Sequence, residues 1–463
     1  MSAAAEAADA AAGITAALAD RLSRVSFDAI PVAVIERAKD LLLDHLGVAL
    51  HGARLPTSSV VQSIFASDGG HAESTLYGGG LAPARSAAFC NAAAAHAVEF
   101  DDTHDESLNH PGAVVIPAAL AIAEARDLSA GAFFVAMIAG YEAQCRIGAA
   151  LGVALIRRGF HPTASCGVYG ATAAAGLLLG LNARALVSAF GSATSMTGGV
   201  MQFTDDSEGA EIKRLHAAVA SERGVLAALL TAAGLVGPRR AIEGRYGFGR
   251  VFAGVGDLAR IEWHEGDGYE IERISIKLYA CCKLFHSLVE AVSNCRARGL
   301  PPLSQLVAIE PFGPKAMIDA HMDFRPQSTM AAQYSLPFTT AVALASDAAD
   351  PRSFDALARA DAGLHRIADL VAPRIDDEME AQFPGRFAGG IRLRFADGTE
   401  LSERVYAARS SPEKPISRED VVEKFTRLTS PFLAQDRRMR IVDAVAGLGP
   451  GKKIRELTAL LRG

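Results

Sequence analysis

Apolar residues recur at helical spacing through most of the first half of the chain. Ile14–Arg24 reads as a short amphipathic helix. Pro31 suits a first helical position, and Val34, Ile35, Ala38, Leu41, Leu42, His45 and Leu46 then keep i, i+3, i+4 spacing. Val60–Ala66 is helical, and Ser74–Tyr77 is a weak strand closed by Gly78-Gly79-Gly80. Pro83 opens a helix predicted to reach about Phe100. Val114–Ala125, Ala130–Leu151, Gly167–Leu181, Ala183–Met196 and Lys213–Ala233 follow, all rich in Ala and Gly. Small side chains let helices approach closely, so these segments predict a compact bundle. Residues 1–11 read as a loose tail.

The pattern changes after about residue 253. Ile271–Leu278 alternates like a strand, Leu284–Ala297 is helical, and Leu306–Pro311 is a strand. Thr329–Ser346 reads as one helix kinked at Pro337. Gly389–Phe395 and Glu400–Ala407 are strands joined by Ala396-Asp397-Gly398, a hairpin signal. Ser417–Leu428, Phe432–Ala446 and Lys452–Leu461 close the chain as helices. The expected architecture is mainly α with a smaller α+β domain: a helical domain over 12–256, an α+β domain over 270–410, and C-terminal helices over 411–463 returning to the first. A cleft between the two domains is the natural place for a ligand.

Composition narrows the function classes. The chain has 463 residues, 21 % of them charged, with a net charge of −6 and no basic block. That argues against nucleic-acid binding. Six scattered cysteines form no CxxC pair, so neither a zinc site nor a disulfide framework is signalled. No signal peptide is evident, and the smoothest apolar run, 166–181, is shorter than the ~20 residues that span a bilayer. A soluble cytoplasmic protein without membrane partners is expected.

Residues 99–110 break the apolar texture with five carboxylates, two hydroxyls and two imidazoles. If the Pro83 helix continues, His96, Glu99 and Thr103 share one face, with Asp102 three residues after Glu99. A catalytic carboxylate–imidazole group and a hydrogen-bonded acidic helix end explain this stretch equally well. HExxH is absent, as is a second dense ligand cluster, so no metal is expected. Four further groups stand out. His161 lies at the opening of the Gly167 helix, as a proton donor or a surface residue beside a capping Thr163. Lys213, Arg214 and His216 start a helix whose dipole opposes them, which carboxylate binding or local ion pairs would offset. Lys277, Cys282 and His286 lie where a strand leads into a helix. Tyr334 faces either the cleft or the core. Walker, GxGxxG and GxSxG motifs are all missing. Cofactor-free acid–base chemistry on an anionic substrate is the reading that remains.

The set His96-x-x-Glu99-Phe100-Asp101-Asp102-Thr103-His104 with His110-Pro111-Gly112, Phe160-His161-Pro162-Thr163, Lys213-Arg214-x-His216, Lys277-x-Tyr279-x-Cys281-Cys282-x-x-x-His286 and Gln333-Tyr334-Ser335 resembles the MmgE/PrpD family. The resemblance runs from about Ile14 to about Ala446. It implies a large all-helical domain plus an α+β lid domain, a homodimer, and chemistry independent of metal and cofactor. Family members include 2-methylcitrate dehydratase, cis-aconitate decarboxylase and iminodisuccinate epimerase. The family often has Asp in place of Glu99, and its decarboxylase branch has a histidine in place of Cys282. The expected activity is a hydro-lyase of the 2-methylcitrate dehydratase type acting on a small di- or tricarboxylate. Epimerisation, decarboxylation of cis-aconitate, and non-catalytic binding of small acids are the alternatives. The expected catalytic residues are His110, His161, Asp102 (orienting an imidazole) and Tyr334. Glu99, Thr103, Lys213, Arg214, Lys277, Cys282 and His286 are expected to bind substrate.

Overall fold

In the computed structural model, residues 13–66, 69–205, 211–254 and 258–463 are described. The expected tail at 1–11 lies outside them. Helices α1 (Ile14–Ser23), α2 (Val32–Gly52), α3 (Pro56–Ala66), α4 (Ala84–Ala95), α5 (Pro111–Ala125), α6 (Ala130–Arg157), α7 (Pro162–Leu178), α8 (Ala183–Thr194) and α9 (His216–Ala232) form the bundle. Close approach is built from missing side chains. A Cβ on Gly170 of α7 would meet the Gly140 carbonyl oxygen at 2.9 Å, and one on Gly140 of α6 would meet the Gly170 oxygen at 2.9 Å. The two backbones therefore touch where larger residues would hold them apart.

The later part of the chain carries a four-stranded sheet ordered β6-β5-β7-β8. Here β5 is Leu306–Gly313, β6 Arg374–Ile375, β7 Gly389–Phe395 and β8 Glu400–Val405; two-residue ladders pair β1 (Ser74–Thr75) with β2 (Leu81–Ala82) and β3 (Thr103–His104) with β4 (Ile274–Ser275). The β7–β8 hairpin turns at Gly398, with φ of 89°, while Asp397 Oδ1 accepts from the Thr399 amide at 2.8 Å. Helices α10 (His286–Ala297) and α11 (Leu336–Ala345) share a buried apolar cluster with β5 and β7. After the sheet, α12 (Arg418–Thr429) packs on α2, and α13 (Gln435–Ala446) joins the same core. No described helix is long and apolar enough to cross a membrane.

Three segments depart from the periodicity. The helix opened by Pro83 ends at Ala95 rather than Phe100. Only Ile274–Ser275 of the expected 271–278 strand pairs with another strand. Thr329–Ser346 is two helices, Thr329–Gln333 and α11, because Ser335 caps α11 by accepting from the Phe338 amide and Pro337 lies in its first turn.

Candidate active site

The cluster is organised by the turn after α4. Glu99 adopts φ of 56°, a left-handed conformation costly for a residue with a Cβ. Tertiary contacts hold it on both sides: Gln333 Nε2 donates to the Val98 carbonyl at 2.9 Å, and Lys424 Nζ of α12 donates to the Phe100 carbonyl at 2.8 Å. Lys424 is itself held by Asp44 of α2 at 2.6 Å. His96, Glu99 and Thr103 thus come together through a turn, and the shared helical face expected for them does not exist.

Glu99 is the hub. Its carboxylate pairs with Lys213, lies 3.2 Å from Lys277 Nζ, and accepts from the Tyr334 hydroxyl at 3.3 Å. Lys277 also donates to the Glu99 carbonyl at 3.2 Å. All are buried except Tyr334, which is partly so. Burial opposes ionisation of Glu99, but the two ammonium groups outweigh it and hold its carboxyl well below the usual range. Burial alone would push the Lys277 ammonium down; Glu99 and Asp101 reverse this and hold it above its ordinary value. Two buried ammonium groups beside Glu99 are the cations that a substrate carboxylate would meet here.

Beside this hub stand four imidazoles. His110 is the N-cap of α5 and His161 the N-cap of α7, each followed by proline in the first turn; His216 opens α9. Three helix N-termini therefore converge, which favours anions and disfavours imidazolium. His110 Nδ1 lies 2.9 Å from the Asp102 carbonyl oxygen and 3.4 Å from Asp101 Oδ2. Both partners are acceptors, so Nδ1 carries the proton and Nε2 of neutral His110 is a lone pair, the tautomer of a base. Burial pushes His110 down to about 3. Thr103 Oγ1 lies 3.4 Å from the same Nδ1. His161 Nδ1 and His216 Nδ1 lie 2.9 Å apart, and the His161 ring stacks on His96 at 6.0 Å between centroids.

The carboxylate contact to an imidazole expected of Asp102 is made by its neighbour. Asp101 Oδ2 lies 2.7 Å from His96 Nδ1 and reaches His110 as well. Burial raises the Asp101 carboxyl, but these two rings lower it further, leaving it well below the ordinary value. The Asp102 side chain points the other way, accepting from the Gly112 amide at 2.8 Å and the Tyr141 hydroxyl at 2.7 Å. Burial pushes it up to about 7. His96, Asp101 and His110 bring three donor atoms within 4.8 Å of one another, a closeness that Asp101 bridging both rings accounts for.

Two expected binding residues stand elsewhere. Arg214 is buried but turns to the exposed Glu211 at 3.0 Å and to Thr57 Oγ1 at 3.1 Å. His286 packs edge-on against Tyr279 and lines a separate cleft of about 860 Å³. That cleft opens on the other side of the β3–β4 ladder and includes none of Glu99, His110, His161, Lys213, Lys277 or Tyr334. Strand alternation explains the division: Thr103 faces the imidazoles, while His104 faces Glu270 at 3.0 Å. Cys282 does join the cluster. Burial raises its thiol to about 11, with Lys277 and Glu99 both close enough to act on it. His321 Nε2 lies 4.0 Å from its sulfur, and the His321 ring stacks on Tyr334 at 6.0 Å. Asp101, His216 and His321 join the cluster without having been among the expected catalytic and binding residues. The first two lay within the sequence motifs, whereas nothing in the spacing of His321 signals the site.

The MmgE/PrpD N-terminal domain model matches residues 16–260 and the MmgE/PrpD C-terminal domain model matches residues 279–448. A cis-aconitate decarboxylase of Aspergillus terreus is 31 % identical over 97 % of this chain and 96 % of its own length. The human cis-aconitate decarboxylase is 25 % identical over 93 % of this chain and 90 % of its own, and the cis-aconitate decarboxylase of Mus musculus is 24 % identical over 97 % and 93 %. With both domain models matched across most of its length, this chain belongs to the MmgE/PrpD family.

Proposed function

We propose that the protein is a lyase that releases CO2 from a small unsaturated tricarboxylate of the cis-aconitate type. The observation that carries this reading is the pair of buried lysines converging, with Tyr334, on Glu99 beside neutral imidazoles. Full-length similarity to cis-aconitate decarboxylases points the same way. The C–C bond to one carboxylate breaks, and its electron pair forms a new double bond. The old double bond moves its pair onto the carbon next to a retained carboxylate. Lys213 and Lys277 stabilise the resulting aci-carboxylate, and a proton from His161 or Tyr334 quenches it at carbon. One proton is consumed and one CO2 leaves.

A hydro-lyase is the second reading, and the His110 tautomer favours it, since dehydration needs a base as well as an acid. A homodimer, and the division into a helical unit over 12–256 and a lid over 270–410, belong to this proposal. Purified protein is incubated with cis-aconitate, 2-methylcitrate, citrate and iminodisuccinate in deuterated water, with products read by mass spectrometry. Loss of CO2 with one deuterium gained at carbon supports the decarboxylase. Loss of water moves the assignment to the hydro-lyase, and exchange at constant composition moves it to an epimerase. His161→Ala is expected to lower turnover at least ~10²-fold.

A further inference from the structure

The two Nδ1 atoms of His161 and His216 lie 2.9 Å apart, and a hydrogen bond between them requires one proton in the bridge. Both rings are buried, at 7 % and 6 % exposure. Phe203 packs edge-on against both, at 5.7 and 5.5 Å between centroids. Among the described residues neither Nε2 has a hydrogen-bond partner. Each residue sits at the start of a helix, so positive charge on either ring is disfavoured. A neutral pair with one bridging proton has only two arrangements. If His161 donates, its Nε2 is a lone pair; if His216 donates, neutral His161 must carry its proton on Nε2.

We propose that His216 is a positioning residue that donates its Nδ1–H to His161 and thereby presets His161 as the Nε2–H proton donor. This rests on the lyase reading above: His110 already holds the base tautomer, so the proton delivered to carbon has to come from another group. The balance closes without a lasting imidazolate. The proton on His161 Nε2 goes to the substrate carbon, the bridging proton shifts from His216 Nδ1 to His161 Nδ1, and solvent protonates His216 Nε2. The titratable groups facing His161 are His216, Lys213, His96 and His110, and those facing His216 are His161, His96 and Lys213. A donor aimed at Nδ1 favours neutral His161, so its removal raises the pH at which this ring protonates.

The test has two arms. Long-range nitrogen–proton correlation spectra of the full chain, labelled in histidine and assigned with His216→Leu and His161→Gln, report the tautomers directly. His161 is expected as Nε2–H and His216 as Nδ1–H; the reverse pattern overturns the proposal. In the second arm, His216→Leu removes the donor, whereas His216→Asn keeps an N–H at the place of Nδ1. The leucine variant is expected to lose roughly 10²-fold in kcat near neutral pH with KM little changed, and the loss should shrink towards low pH, where the imidazolium form of His161 again carries an Nε2–H. The asparagine variant should recover most of that loss. Equal losses in two folded variants, with unmoved pH profiles, would show a merely structural role and sink the idea. The spectra need no turnover: the expected tautomers without activity on any acid tested would overturn the lyase reading alone.

Discussion

Glu99→Gln is the sharpest perturbation of the cluster, because it removes the anion while keeping its shape. Lys277 Nζ stands 3.2 Å from Glu99 Oε2 with 1 % of its side chain exposed. At an effective dielectric of about 20, unit charges at that separation attract by about 5 kcal/mol. Breaking a buried pair by removing one partner costs about 3–5 kcal/mol. The two estimates agree, so the variant should lose about 3–5 kcal/mol near neutral pH. The pH dependence supplies a second signature. In the native protein the Lys277 value is raised, so its contribution is fully present below the ordinary lysine range and is lost as pH climbs through the raised value. With Glu99 gone, the larger of the two carboxylate attractions that offset burial is lost, only Asp101 remains against it, and the Lys277 value falls. Where Lys277 titrates below its ordinary range, stability rises with pH up to about pH 10, whereas the native Lys277 contribution is flat there. Denaturant unfolding followed by far-UV circular dichroism and by the single tryptophan, Trp263, measures both quantities. A variant within 1 kcal/mol of the native protein, with the same slope, would refute the view of Glu99 as the counter-ion of this site.

Other expectations follow from the same geometry. The Asp102 value is raised to about 7, so the protonated form adds stability that is full below the ordinary carboxyl value of ~3.9 and is lost as pH rises through about 7. Asp102→Asn should therefore flatten the fall in stability between about pH 4 and 7, as read by thermal unfolding across that range. The Cys282 thiol is raised to about 11, so it stays protonated near neutrality and is a poor nucleophile. Cys282→Ser should keep turnover within ~10-fold, and a larger loss would place the sulfur in the chemistry. Prolonged dialysis against a strong chelator should leave turnover unchanged; loss restored by one divalent metal would assign the His96–Asp101–His110 triad to that ion.

What the sequence made legible was local, and what it hid was tertiary. Helical spacing placed the bundle helices to within a few residues wherever the apolar stripe was continuous, and the Asp397-Gly398 turn located its hairpin because a positive φ needs glycine. The motifs brought Glu99, Lys213, Lys277 and Tyr334 to attention although they meet across more than two hundred residues. The register of the Asp101–Asp102 pair was another matter. On a continued helix Asp102 would lie near the face of Glu99, but the helix stops at Ala95 because Gln333 and Lys424 hold the carbonyls on either side of Glu99 in a left-handed turn. Those two anchors come from the far end of the chain, and no local propensity reports them. The same turn sends the Asp101 carboxylate to two imidazoles and the Asp102 carboxylate to Tyr141, so adjacent, chemically identical side chains end with opposite titration behaviour. Asp101 acts as the charged partner of His110 while Asp102 supplies only its carbonyl, and one strained residue divides the work between them.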